Sequence, residues 1–302
     1  MAHHEHVDPV EALERLGGIA RREDLLTATS ARRLRSAVHQ GTVKRVGRGR
    51  YALPVTDQGR RAAIMCQGVL THLSAALHWG WAVRLPPRRP QIAVPAGRGL
   101  RSARAAEVRP LSRRASRDGW ATDRLSTVLL CARDLPFADA LAVADSALRA
   151  GDLTTGDLTA AARSAAERRV ALHATARAAN PFESALRAIV IDAGRAVVPQ
   201  YEIRAGGLVL HPDLVDPIHG VVVEAESWEF HGKEPRAFES DCERYNALTA
   251  TGWRILRFTW VQVIHRPDDV RRCLQDLYRD LGPAPTPSST DQPASSSANW
   301  VR

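Results

Sequence analysis

The sequence has little of what marks exported, membrane-spanning or zinc-holding chains. Its 302 residues include only 4 cysteines, and none forms a C-x-x-C pair, so neither a zinc ribbon nor a redox dithiol is indicated. No charge-free apolar run approaches the roughly 18–20 residues that a membrane helix needs. The opening MAHHEHVDPV lacks the apolar stretch of a signal peptide. We therefore expect a cytoplasmic protein with reduced thiols and no membrane partner.

Acidic residues are also in short supply. The chain has 33 Asp and Glu against 42 Lys and Arg, which gives a formal net charge of +9 and a pI near 10.2. A basic surplus of this size points to a polyanion, most often nucleic acid. The alternative is a high-GC genome that favours arginine and alanine.

Residues 10 to 53 have the pattern of a winged helix-turn-helix. Helical spacing is present in VEALERLGG, RREDLLTAT and ARRLRSAVHQG, with Ser30 as the N-cap of the third helix and Gly41 as its stop. Two β-prone pieces, TVKRV and RYALP, follow and are joined by GRG. In such a fold the third helix enters the major groove of DNA and the wing contacts the backbone.

Basic side chains concentrate on that third helix and on the wing, where they would neutralise phosphates and release counterions. The predicted DNA-binding residues are Arg32, Arg33, Arg35, Lys44, Arg45, Arg48 and Arg50. The alternative is a small helical domain with a solvated basic face. The concentration of charge on these two elements favours DNA.

The run GGIARREDLLTATSARRLRSAVHQGTVKRVGRGRYALP resembles the N-terminal winged-helix domain of type IV toxin–antitoxin antitoxins of the AbiEi type, over about forty residues. The resemblance implies a DNA-binding domain over residues 1–55. Residues 56–165 also resemble the antitoxin-like middle domain of that family. We find no catalytic constellation there, and we interpret His72 and His78, six positions apart, as core or surface histidines. The basic run GRGLRSARAAEVRPLSRRASR is either a second phosphate-contacting surface or a solvated loop.

The region from residue 166 to 281 contains an α-β-β-β-α-β-α pattern, in which the strand-helix-strand part implies a parallel crossover. The fold class is therefore predicted as α/β (α+β), with a C-terminal mixed sheet flanked by helices. Residues 282–302 are Pro- and Ser-rich and are expected to be disordered.

Three acidic residues accompany one apolar strand in HPDLVDPIHGVVVEAESWEFHG. Side chains alternate along a strand, so Glu224 and Glu226 face one side, at the strand's C-terminal end. The strand before it is predicted in GLVLHPDLV, and the turn pair Gly206-Gly207 is predicted to join it to the strand PQYEIR as a hairpin. Asp213 is expected at the end of GLVLHPDLV, and pairing of that strand with the next would bring it to Glu224. Burying carboxylates is costly unless they are paired or bind a metal. Asp213 and Glu224 together predict a Mg²⁺ (or Mn²⁺) site.

The spacing P-D, ten residues, E-A-E matches the PD-(D/E)xK nuclease pattern, with Glu226 where lysine usually stands. Together with SDCERYNAL and GWRILRFTW it resembles the Vsr-like endonuclease-related domain of actinobacterial proteins. The resemblance implies a restriction-endonuclease-like fold over residues 166–281 and metal-binding acids at Asp213 and Glu224. The loss of the lysine weakens the implication of catalysis, although Lys233 is a candidate replacement.

The same resemblance assigns further roles, each with a structural alternative. Glu183 matches an extra acid of such nucleases, but it also occupies a capping-box position after Asn180. His231 would protonate a leaving group or hold the metal-bound water, or it is a turn histidine. Trp228 is either a base-stacking or a core residue. Residues that would orient the acids or contact phosphate are Asp241, Arg244 and Asn246.

The sequence therefore supports two main interpretations. The first is a Mg²⁺-dependent DNA endonuclease guided by a winged-helix reader. The alternative is a non-catalytic DNA-binding regulator or antitoxin with a degenerate nuclease fold, and an RNA-cleaving toxin fused to an antitoxin-like module is a third interpretation. In the first two interpretations the partner is DNA, and a homodimer is compatible with either of them.

Overall fold

The computed structural model describes residues 7–16, 18–95, 106–226 and 235–281. Within these ranges the chain contains both helices and strands, and the strands form four sheets. The predicted mixed α/β (α+β) class is therefore confirmed. Within the described residues, we find no helix with the length and apolar character that a membrane crossing requires.

The N-terminal residues form three helices around a small antiparallel sheet of order β1-β3-β2. The elements are α1 Pro9–Arg15, β1 Ile19–Arg21, α2 Arg22–Ala28, α3 Ala31–His39, β2 Lys44–Gly47 and β3 Arg50–Ala52. Helix α3 begins where expected, because the Ser30 hydroxyl accepts a hydrogen bond from the Arg33 N–H over 3.2 Å. The sequence pattern indicated only the β2–β3 hairpin; β1 adds a third strand beside β3. This unit has its own core around Leu13, Leu25 and Leu34.

The middle of the chain combines a sheet of order β6-β5-β4-β8-β7 with helices packed against it. Its first elements are α4 Val55–Cys66, β4 Val69–Leu70, α5 His72–His78, β5 Gln91–Val94, β6 Glu107–Pro110, β7 Arg117–Asp118 and β8 Ala121–Thr122. The apolar run THLSAALHWGW contains α5, and the run PQIAVP between prolines contains β5.

A helical bundle follows, formed by α6 Arg124–Asp134, α7 Phe137–Arg149, α8 Thr155–Ala161 and α9 Ala165–His173. The alanine-rich stretch LTAAARSAAERRVALHATARAA contains the end of α8 and all of α9. The two helices are separate because Ser164 starts α9 with a capping box to Glu167. Alanines and leucines pack around the fully buried Trp81.

The C-terminal part places helix α10 (Pro181–Asp192) against a four-stranded sheet of order β14-β13-β12-β9. The strands and helices after α10 are β9 Val198–Pro199, β10 Ile203–Ala205, β11 Leu208–Leu210, β12 Leu214–Asp216, β13 Val221–Glu226, α11 Pro235–Ala250, β14 Arg254–Thr259, α12 Trp260–His265 and α13 Pro267–Leu281. The predicted parallel crossover is confirmed: β13 and β14 pair in parallel around α11. Strands β10 and β11 form the predicted hairpin, and both Gly206 and Gly207 have positive φ at its turn.

Helix α10 belongs to two cores at once. From Pro181 to Val190 every side chain is buried. Ala188 packs in the core of the helical bundle, whereas Leu186 and Ile189 pack against the sheet. A buried ion pair, Arg187 with Asp145 of α7 at 2.6 Å, fixes α10 to the bundle.

Candidate active site

The predicted single strand GLVLHPDLV is in fact two short strands. Strand β11 ends at Leu210 and β12 begins at Leu214. Pro212 lies between them, and proline cannot donate to a strand ladder. Asp213 therefore precedes β12 instead of ending a strand, which corrects the sequence-based expectation. Because β12 and β13 are antiparallel, with Leu214 opposite Val223, the start of β12 meets the C-terminal half of β13.

This register brings Asp213 and Glu224 together, as the sequence predicted. The Asp213 main-chain N–H donates to Glu224 over 3.3 Å, and the Asp213 carboxylate accepts from the Ala225 N–H over 2.8 Å. Glu224 is only 3% exposed. Burial, together with the nearby charges of Glu183 and Glu224, raises the pKa of Asp213 to about 8.

Glu183 joins this pair from the first turn of α10. Its carboxylate accepts from the Ala179 N–H and from the Asn180 side-chain amide, each over 2.8 Å, while Asn180 caps the helix. Burial and the charge of Glu224 raise the pKa of Glu183 to about 7, against the opposing effects of the Ala179 N–H and Arg149. The capping and site roles proposed for Glu183 are thus compatible, because the carboxylate that bonds to the residues before α10 also lines the cleft.

Glu226 lines the same cleft but has different contacts. Its carboxylate accepts from Arg257 Nε over 2.7 Å and from the Tyr245 hydroxyl. The Arg257 guanidinium also lies 4.1 Å from the centre of the Tyr245 ring. The acid that replaces the usual lysine is therefore held in an ion pair with β14, away from the Asp213–Glu224 hydrogen bonds.

Arg244 is a cation in direct contact with one of the buried acids. It extends from α11 to form an ion pair with Glu224, and Asp241 lies 4.0 Å from its guanidinium. The supporting role predicted for Arg244 and Asp241 thus has a structural counterpart. Asn246 is exposed on the same helix and does not line the cleft. Trp228 and His231, with Lys233, lie outside the described residues.

The cleft around these acids has a volume of about 340 Å³. It has walls that the sequence did not indicate: Gln200, His211 and Trp260 from the C-terminal part, and Ala12, Arg15 and Leu16 from α1 and its end. Of these lining residues, only His211 is part of a sequence motif that pointed to the site, since it stands two residues before Asp213 in the HPD run. Gln200 has a left-handed φ of +53°, which is uncommon for a residue other than glycine.

The predicted DNA-binding residues all lie at the surface. Arg32, Arg33 and Arg35 are exposed along α3, and the four basic residues of the wing are exposed on β2, the turn and β3. In the middle part, His72 is confirmed as a core histidine. It is 2% exposed, with Nδ1 3.0 Å from the Thr71 hydroxyl and Nε2 3.0 Å from Asp134.

Comparisons with known proteins add little. No family model matches the chain, and no curated protein matches it. Among solved structures, the chain is similar to the crystal structure of RV2827C protein from Mycobacterium tuberculosis, at 18% identity and a TM-score of 0.30, covering 66% of this chain and 88% of that one. A likeness at this level carries no argument, so the Vsr-like and AbiEi-type resemblances stay predictions.

Proposed function

We propose that this protein is a Mg²⁺- or Mn²⁺-dependent DNA endonuclease whose N-terminal winged helix binds the substrate. The observation that supports it best is the convergence of Glu183, Asp213 and Glu224 in one cleft. These three carboxylates come from the start of α10, the residue before β12 and the end of β13. After burial, the charges of Glu183 and Glu224 raise the pKa of Asp213, and the charge of Glu224 also raises the pKa of Glu183.

The chemistry of this donor set fits a hard divalent cation. Carboxylate oxygens are the ligands such cations prefer, and a cation removes the cost of clustering like charges in a buried place. Within the described residues, no three His, Cys, Asp or Glu side chains are already arranged as a metal-binding group. The raised pKa of Asp213 favours a proton on its carboxyl group near pH 7. Metal binding would have to displace that proton.

The roles of the chain's own residues follow from this geometry. Asp213 and Glu224 would hold the metal, and Glu183 would hold the metal or a water molecule. The metal would supply an acidified water and charge neutralisation at the scissile phosphate. Arg244 lies where a cation can stabilise negative charge beside Glu224, so it takes the part that the missing lysine leaves open.

Cleavage assays test this proposal directly. Purified protein is incubated with plasmid and labelled oligonucleotides in Mg²⁺, Mn²⁺ or EDTA. Asp213→Asn should lower metal-dependent cleavage by at least about 10²-fold, because it removes one preorganised charged ligand. Asp268→Asn is the matched control, since Asp268 is 77% exposed on α13 and does not line the cleft.

A specific observation favours the alternative, a non-catalytic DNA-binding regulator. Glu224 and Glu226 are each neutralised by an arginine, Arg244 and Arg257, so the acids are stabilised in part without a metal. If wild type binds DNA but neither Mg²⁺ nor Mn²⁺ supports cleavage of any DNA or RNA, and Asp213→Asn does not weaken Mn²⁺ binding measured by calorimetry, the regulator replaces the nuclease.

A further inference from the structure

A second concave surface lies between the wing and the helix that follows β4. This crevice has a volume of about 370 Å³. Lys44, Arg45 and Arg50 form one wall from β2 and β3, and Arg60 of α4 with His78 and Trp79 at the end of α5 form the other. The surface therefore joins the winged helix to the middle part of the chain.

The crevice has one sign of charge. Four of its side chains are Lys or Arg, and none of the described residues that line it is acidic. Burial and the charge of Arg60 lower the pKa of His78, so its ring stays neutral near pH 7 and adds no charge. A concave surface with one sign of charge focuses its electrostatic potential and concentrates ions of the opposite sign.

The wall that contains Trp79 is held in place by contacts within the protein. The Trp79 indole N–H donates to the Thr122 carbonyl over 3.1 Å, and the Arg124 guanidinium lies 4.2 Å from the centre of its ring. A Cβ at Gly80 would lie 3.7 Å from the Arg50 guanidinium, so the wing and the turn after α5 are close neighbours. A cavity that is formed in advance loses less entropy when it binds.

We propose that this crevice binds the phosphate backbone of a nucleic-acid strand next to the segment held by the wing. The interface would thereby continue from Arg48 and Arg50 onto Arg60, which lies outside the winged helix. Arginine and lysine are the side chains that contact backbone phosphates most often, and such contacts fix the register of a protein on its duplex. The inference rests on the proposed DNA binding and adds a second contact surface to it.

Arg60 and Arg61 provide a matched pair of variants. They are consecutive, exposed residues of α4, but only Arg60 lines the crevice. Binding of the full chain to a fluorescent mixed-sequence duplex is measured by anisotropy over a series of salt concentrations. Arg60→Ala should reduce the slope of log affinity against log salt by about 0.9 and weaken binding roughly threefold to tenfold at moderate salt. Arg61→Ala should leave both unchanged, and circular dichroism should show both variants folded.

Two further arms separate the ways in which the inference could fail. If wild type and Arg48→Ala bind no DNA, the proposed DNA binding itself is wrong. If Arg48→Ala weakens binding but Arg60→Ala matches Arg61→Ala, only the crevice is wrong. Inorganic triphosphate is the probe for a small ligand. If Arg60→Ala abolishes triphosphate binding yet leaves DNA binding intact, the crevice serves a free phosphate compound and the inference is overturned.

Discussion

The main-chain N–H of Asp213 donates to the Glu224 carboxylate over 3.3 Å, across the β12–β13 pair. A neighbouring bond runs the other way, from the Ala225 N–H to the Asp213 carboxylate over 2.8 Å. The two residues therefore fix each other's orientation through the backbone of the sheet. Each bond ends on a side-chain carboxylate, so truncation to alanine at either position would remove one of them. Asp213→Asn and Glu224→Gln keep an amide oxygen that can accept, which makes these conservative substitutions informative here.

The first prediction concerns pH. The pKa of Asp213 is raised to about 8 and that of Glu183 to about 7, so between about pH 4 and those values the folded protein binds more protons than the unfolded chain. Their contribution to stability is therefore fully present below about pH 4 and is lost as pH rises through about 7 to 8. In EDTA, we expect the melting temperature of wild type to fall more steeply between about pH 4 and about pH 8 than that of Asp213→Asn. Equal slopes would show that Asp213 does not carry a raised pKa.

Divalent metal should reverse this trend. At about pH 8 Glu183 is mostly ionised and Asp213 is about half ionised. A cation that binds only the folded state can displace the remaining proton and raises the stability of that state. Mn²⁺ should raise the melting temperature of wild type at about pH 8 and have a much smaller effect at about pH 5. Asp268→Asn should behave like wild type, whereas Asp213→Asn should lose the shift. A shift that persists in Asp213→Asn would place the metal elsewhere.

The third prediction concerns Glu226, the residue that stands in place of lysine. Glu226→Lys alone would put a lysine beside Arg257, where like charges destabilise by about 0.2–1 kcal/mol. We therefore expect no gain in cleavage from that single change. The double change Glu226→Lys with Arg257→Glu restores an ion pair with the charges exchanged. If the double variant cleaves faster than wild type, Glu226 marks a weakened enzyme; if only the single variant does, the ion pair with Arg257 has no inhibitory role.

The buried ion pair between α7 and α10 gives a stability prediction. Arg187→Met leaves Asp145 buried without its main partner and should cost about 3–5 kcal/mol of unfolding free energy, measured in urea. Arg169→Met is the matched control, because the Arg169–Asp192 pair is 42% and 33% exposed and should contribute less than about 1 kcal/mol. Similar losses in the two variants would mean that burial does not decide the outcome.

The last prediction tests α3, the helix predicted to enter the major groove of DNA. Replacing Arg32, Arg33 and Arg35 by alanine should reduce the salt slope of DNA binding by about one unit for each phosphate that α3 no longer neutralises. Arg271, Arg272 and Arg279 on α13 serve as the control triple, since α13 lies in the C-terminal part. An unchanged slope in the α3 variant, with a reduced slope in the α13 variant, would move the DNA surface to the other end of the chain.

What the sequence could predict was set by local chemistry. Ser30 as a cap and Gly206-Gly207 as a turn depend on neighbours in the chain, whereas the parallel pairing of β13 and β14 follows from the helix between them. All three are confirmed. Strand β1 was missed because IAR is too short to show an alternating pattern. The break at Pro212 was also missed, although it moves Asp213 to the start of a strand.

The composition of the cleft could be predicted only in part. Asp213 and Glu224 meet because two adjacent strands pair, so their proximity follows from the local pattern. Arg15 and Trp260 come from opposite ends of the chain, yet the Arg15 guanidinium lies 5.5 Å from the centre of the Trp260 ring. No spacing in one sequence reports such a contact, because it arises from how separate cores pack. The partner of Glu226 was missed for another reason: the order of elements predicts that β13 and β14 pair, but not the register that brings Arg257, 31 residues away, to Glu226.

From Pro181 to Val190, helix α10 has no side that faces solvent, and this sets how the protein can be recombined. A breakpoint on either side of α10 would leave the helical bundle or the sheet without the helix that fills its core. The winged helix has a separate core and can be exchanged for another reader with less loss of packing. We expect natural or engineered chimaeras to inherit the bundle and the sheet as one block, and to vary at the junction near Val55.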